Sequence, residues 1–145
     1  MGVESLGGFP LRKVLVADSA NITHFMLERI LGKEGFQIVY VKYPRDLVVQ
    51  IKEILPDVIF LEPEISGGKG KKIVEYLHRQ PETRGVPIVL ITRITDTARY
   101  NMEQWPGVHR LIRKPLNSAK VMEAVLSISF REQDGFQDLG KVELG

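Results

Sequence analysis

The sequence predicts an α/β protein, a five-stranded parallel sheet alternating with helices that cover both of its faces. Three observations carry this. Short runs such as VPIVLIT (86–92) are apolar almost throughout, and strands of that kind need cover on both sides. Between them lie segments whose apolar residues recur at helical spacing. The two kinds alternate from residue 12 to 129 of a 145-residue chain, the size of one domain.

Residues 1–11 are Gly-rich and read as a flexible leader. Arg12–Ala17 (RKVLVA) places Val at alternate positions and ends at Asp18, which reads as a buried strand. In SANITHFMLERILGKEGF, Ile22, Phe25, Met26, Ile30 and Leu31 have helical spacing, and Gly35 is the stop. Gln37–Lys42 returns to strand character. Pro44 suits the first turn of a helix carrying Leu47, Val48, Ile51, Ile54 and Leu55, halted at Pro56. Asp57–Leu61 is the third strand. The loop Glu62–Gly70 leads into a helix, KKIVEYLHRQ, and Val86–Thr92 is the fourth strand. A polar helix is expected near Thr95–Gln104, then a weaker strand over Val108–Arg113. Asn117 caps a last helix that runs to about Ile128. Residues 130–145 break the alternation and read as a linker or tail.

Composition narrows the function. There is no cysteine, so disulfides, thiolate nucleophiles and cysteine-bound metal are excluded. No run approaches the ~18 apolar residues of a membrane span, and the N-terminal residues lack a secretory hydrophobic stretch and a lipidation context. A cytoplasmic protein without membrane contact is expected. A net charge of +2 does not imply nucleic acid unless a basic patch is clustered.

Open parallel sheets place their sites beyond the carboxyl ends of the strands. Strand one ends at Ala17-Asp18, strand three at Glu62, strand four at Thr92 and strand five at Lys114-Pro115. Two carboxylates, a hydroxyl and an ammonium thus converge on one rim. With VLVADSA, PDVIFLEPEISGGKG, VPIVLIT and RLIRKPLN in this order, residues 12–129 resemble the response-regulator receiver domain (CheY-like) of bacterial two-component systems. The resemblance implies a flavodoxin-like three-layer sandwich with strand order 2-1-3-4-5. It also implies a phosphoacceptor Asp after strand three, a Mg²⁺-holding acid pair after strand one, a switch Thr/Ser, and a Lys before a cis proline.

Matched position by position, this chain departs from that pattern. Glu62 stands at the acceptor position, and Ala17 replaces one acid of the pair, leaving Asp18. Thr92, Lys114 and Pro115 match. Arg93 follows Thr92 where a small residue is usual, and Leu111 replaces the aromatic that moves with the threonine. Glutamate carries its carboxylate one methylene, about 1.5 Å of covalent bond, further than aspartate. A 1 Å misplacement can cost on the order of 10²-fold in rate. Mg²⁺, with only Asp18 and Glu62 as candidate ligands, is expected to bind weakly or not at all. Glu62 is expected to form a fixed ion-pair cluster with Lys114 and Arg93, whether it imitates the active or the inactive state.

The resemblance thus implies an atypical receiver module, not an enzyme, lacking the phosphoacceptor Asp and acting through phosphorylation-independent protein contacts. Its expected partners are another protein or a covalently attached output domain, with a histidine kinase upstream; no oligomeric state is specified. The alternatives are a phosphorylatable receiver with altered Mg²⁺-dependent chemistry and a flavodoxin-like nucleotide or cofactor binder. No nucleophile with an adjacent base supports the latter.

Other signals are weaker. SGGKGKK (66–72) fails the phosphate-loop pattern, having Ile65 for the first Gly and Lys72 for Ser/Thr, and reads as a solvated helix start. Glu64 is expected to face water. His24, His78 and His109 lack metal-ligand spacing, and Trp105 is expected to pack the turn before strand five. Arg93, Arg99, His109, Arg110, Arg113 and Lys120 form a basic set that would disfavour a symmetric dimer and suit an acidic partner.

Overall fold

The structure, a computed structural model, describes residues 12–94 and 100–128. The strands are β1 (Arg12–Ala17), β2 (Phe36–Val41), β3 (Val58–Leu61), β4 (Ile88–Thr92) and β5 (Val108–Arg113). They form one parallel sheet in the order β2-β1-β3-β4-β5. The helices among the described residues are α1 (Asn21–Gly32), α2 (Pro44–Ile54), α3 (Gly70–Arg79) and α4 (Ser118–Leu126). A single helical turn, Ile65–Gly68, interrupts the expected loop after β3. The polar helix expected near Thr95–Gln104 lies partly at 95–99, outside the described residues; Met102–Gln104 forms a 3₁₀ turn. The leader 1–11 and tail 130–145 also lie outside them.

Strand alternation divides the core in two. Val14, Val16, Val58, Phe60, Val89 and Ile91 face α1 and α4, where Leu27, Leu31, Val121 and Val125 complete one apolar layer. Leu15, Ile59, Leu61, Ile88 and Leu90 face the other side, where Leu47 and Ile51 of α2 and Val74 and Leu77 of α3 complete the second. Three layers result because β1, β3 and β4 are apolar on both faces. The inner face of α1 is narrower than its apolar spacing suggests. Thr23, Leu27, Ile30 and Leu31 are buried, whereas Ile22 and Phe25 stand 60% and 54% exposed.

Local chemistry fixes the ends of the elements. α2 starts on Pro44 and stops at Leu55, whose left-handed backbone precedes Pro56. α4 starts at Asn117, whose side chain accepts the Lys120 N–H at 2.8 Å. The loop after β3 turns through three successive positive-φ residues, Ser66, Gly67 and Gly68. At Gly70 that loop meets Pro63 so closely that a Cβ would lie 2.6 Å from the Pro63 Cα. The loop therefore folds back on itself and aims the side chains that follow β3 at the sheet's edge.

Candidate functional site

Register brings the strand ends together. Ala17 of β1 pairs with Leu61 of β3, and the Glu62 N–H donates to the Ala17 carbonyl at 2.9 Å. Asp18 and Glu62 therefore leave the sheet side by side. Across the sheet, Thr92 pairs with Arg113, and the Lys114 N–H donates to the Thr92 carbonyl at 2.8 Å. The Lys114–Pro115 peptide bond is cis. Asp18, Glu62 and Thr92 are all buried, and Lys114 nearly so.

The ion pair at this rim is not the expected one. Lys114 Nζ lies 2.8 Å from Asp18 Oδ2, while the Ala20 N–H donates to Asp18 Oδ1 at 2.8 Å. Glu62 instead turns toward the start of α1, where Oε1 accepts the Ser19 backbone N–H at 3.0 Å and the Ser19 hydroxyl at 2.9 Å. This corrects the Glu62–Lys114 cluster. The one ammonium goes to the shorter, fully buried carboxylate, and the longer one reaches two neutral donors. Arg93 is exposed and joins Lys114, Pro115, Ile22 and Met26 around a largely apolar recess of about 460 Å³. It does not bond to Glu62.

Glu64 does not face water. Its Oε2 accepts the Thr92 hydroxyl at 2.7 Å and also the Tyr100 hydroxyl. Thr92 Oγ1 in turn accepts the Ile94 N–H at 3.0 Å. The hydroxyl thus both gives and takes a hydrogen bond inside the protein. Tyr100 packs edge-to-face on buried Trp105, with ring centroids 5.6 Å apart, so Trp105 does pack the turn before β5. Leu111 packs in the α2/α3-side core and makes no polar contact with Thr92.

Ser19, Glu64, Tyr100 and Tyr40 were missed or misplaced from the sequence. Tyr40, at the end of β2, donates to the Asp18 carbonyl at 2.9 Å and lies 3.1 Å from Asn21 Oδ1. Its ring stacks on His24, which also contacts Glu28. Burial first, then the carboxylates of Asp18 and Glu62, hold its phenol above the ordinary 10.0. A signal for Glu64 was available in its spacing. Two residues beyond Glu62, it lies on a loop forced back on the sheet by Gly70.

The Mg²⁺ implied by the resemblance does not fit these donors. Both Asp18 oxygens and one Glu62 oxygen are engaged within the protein, and Ala17 supplies no side-chain oxygen. Among the described residues, no group of three or more His, Asp or Glu side chains could hold a metal. Of the basic set near β5, Arg110 lies 3.7 Å from Glu123 and Lys120 Nζ donates to the carbonyls of Arg113 and Pro115. Arg99 lies outside the described residues. No helix among them is long and apolar enough to cross a membrane.

A protein-family model, response regulator receiver domain, matches residues 14–126. The phosphate regulon transcriptional regulatory protein PhoB of Escherichia coli is 26% identical over 120 residues, covering 83% of this chain and 52% of the relative. The DNA-binding response regulator MtrA of Mycolicibacterium smegmatis is 25% identical, covering 85% and 53%. This chain thus spans about half the length of these curated relatives. The chemotaxis response regulator CheY4 of Vibrio cholerae superposes with a TM-score of 0.73 at 19% identity, covering 81% of this chain and 98% of that one. A response regulator from Thermotoga maritima superposes with a TM-score of 0.71 at 18% identity, covering 81% and 97%. These structural likenesses carry the fold.

Proposed function

The chain belongs to the response regulator receiver domain family, and we propose that it is an atypical receiver that signals by protein contacts without accepting phosphate. The observation that carries this reading is that the rim's ammonium, hydroxyl and carboxylates are bonded to the protein's own groups. Thr92 is held by Glu64, Lys114 by Asp18, and Glu62 by Ser19. In phosphoryl transfer these are the groups needed to neutralise incoming charge, and the reaction depends on positioning them at the phosphate. Here each would have to surrender an internal partner first. Breaking the Asp18–Lys114 pair would leave a buried carboxylate uncompensated, at a cost of roughly 3–5 kcal/mol. The Glu64 carboxylate stands in for a phosphoryl oxygen at the switch threonine, so Thr92 is inward without any modification.

On this reading residues 12–129 are the receiver and residues 130–145 a linker or tail, and the receiver acts on an attached output domain or an independent partner in a cytoplasmic setting. The test is intact-mass measurement after incubation with acetyl phosphate and Mg²⁺, with and without a histidine kinase. The expected result is an unchanged mass for the wild type. A stable gain of one phosphoryl group mapped to Glu62 would establish the alternative, a phosphorylatable receiver with altered chemistry.

A further inference from the structure

Away from the rim, α2 and α3 enclose an open groove of about 490 Å³. Its floor is apolar and aromatic, built by Val48, Ile73, Tyr43 and Tyr76, and its edge carries Arg45, Lys69 and Lys72 with no acidic residue. Among the described residues none of these three cations forms an ion pair. The two lysines also stand at an unfavourable place. Lys69 stands at the position just before α3 without a capping side-chain hydrogen bond, and Lys72 lies in the helix's first turn, which contains no acid. Cations there oppose the helix dipole, which favours negative charge at a helix N-terminus. The arrangement gives up local stability for an edge that attracts anions.

We infer that this groove docks an acidic protein segment carrying an aromatic or aliphatic anchor, the anchor on the floor and carboxylates against Arg45, Lys69 and Lys72. The floor offers an apolar side chain a place that a simple anion would not use, and the unpaired cations supply complementary charge. A single-stranded nucleic acid fits less well. Bases bind by stacking on aromatic faces, whereas the floor between the two tyrosines is aliphatic, Val48 and Ile73, and suits an apolar side chain. The walls are pre-formed, because Leu47, Ile51, Val74 and Leu77 anchor both helices in the core. Little ordering cost therefore falls on this side of the interface. The groove is distinct from the β4–β5 end of the sheet, and the inference does not depend on how Glu62 behaves.

The test is selection of short random peptides displayed on phage against the whole chain, followed by fluorescence anisotropy with a selected peptide and with oligothymidylate. Asp- and Glu-rich peptides containing Phe, Trp or Leu should be enriched. Their binding should fall by roughly tenfold or more in the Lys69→Glu/Lys72→Glu variant and weaken with added salt. Tyr43→Ala should also weaken it. The charge-reversed variant should melt no lower than the wild type, since acids suit that helix end. Four results would each overturn the inference: no enrichment, neutral or basic consensus peptides, undiminished binding to the charge-reversed variant, or tighter binding of oligothymidylate at these lysines.

Discussion

Glu62 and Glu64 lie two positions apart yet hold different parts of the molecule, Ser19 before α1 and the Thr92–Tyr100 pair beyond β4. Removing the second carboxylate leaves the Thr92 hydroxyl without its acceptor in a fully buried place. Glu64→Ala should therefore lower unfolding free energy by about 1–3 kcal/mol, measured in urea, and Glu64→Gln by less, because its amide oxygen still accepts. Tyr40 gives a pH test at the same scale. Its neutral form is favoured in the fold by burial and by Asp18 and Glu62, so its folded pKa lies above 10.0. Below pH 10 the contribution to stability is complete. As pH rises further the unfolded chain releases the proton first, and stability is lost through the folded value. Tyr40→Phe should flatten the alkaline limb of the stability–pH curve; an unchanged limb would show that Tyr40 does not carry it.

Among the elements, the loop from Glu62 to Gly70 does most to decide what the site can do. Gly70 permits the backbone of Pro63 to pass where a Cβ would sit 2.7 Å from its carbonyl oxygen. Gly70→Ala should destabilise the chain by about 1–3 kcal/mol through overpacking. It should also loosen Glu64 from Thr92, visible as a shift of the Thr92 amide resonance beyond that of a distant destabilising variant. Strands and helix ends of this fold were legible because their causes are local. β4 reads from an unbroken apolar run, the start of α4 from Asn117, and the end of α2 from Pro56. The partners within the site were not legible, because they depend on reach across the sheet. Ser19 grips Glu62 from 43 residues away, and the choice of Lys114 between Asp18 and Glu62 turns on one methylene and on which carboxylate is deeper. Nor does periodicity alone tell that Ile22 and Phe25 point outward, since α4 shares the same sheet face and takes part of it.

At the scale of the whole molecule, the Asp18–Lys114 pair joins the end of β1 to the end of β5, with β3 and β4 between them in the sheet. Asp18 is fully buried and the lysine side chain is 11% exposed, so the pair works where water screens little. Its net value against an apolar replacement need not be large, but each half depends strongly on the other. Lys114→Met leaves the Asp18 carboxylate buried with only the Ala20 N–H, and should cost roughly 3–5 kcal/mol in urea unfolding. Asp18→Asn alone leaves an ammonium that can turn toward solvent, and should cost less. If the two groups act as one tie, the double variant should be more stable than Lys114→Met alone, because no buried charge remains uncompensated. Additive losses would mean that Asp18 and Lys114 stabilise the fold separately. The internal pair would then be no barrier to an incoming phosphate, and the phosphorylation-independent reading would lose the part of its support that rests on Lys114.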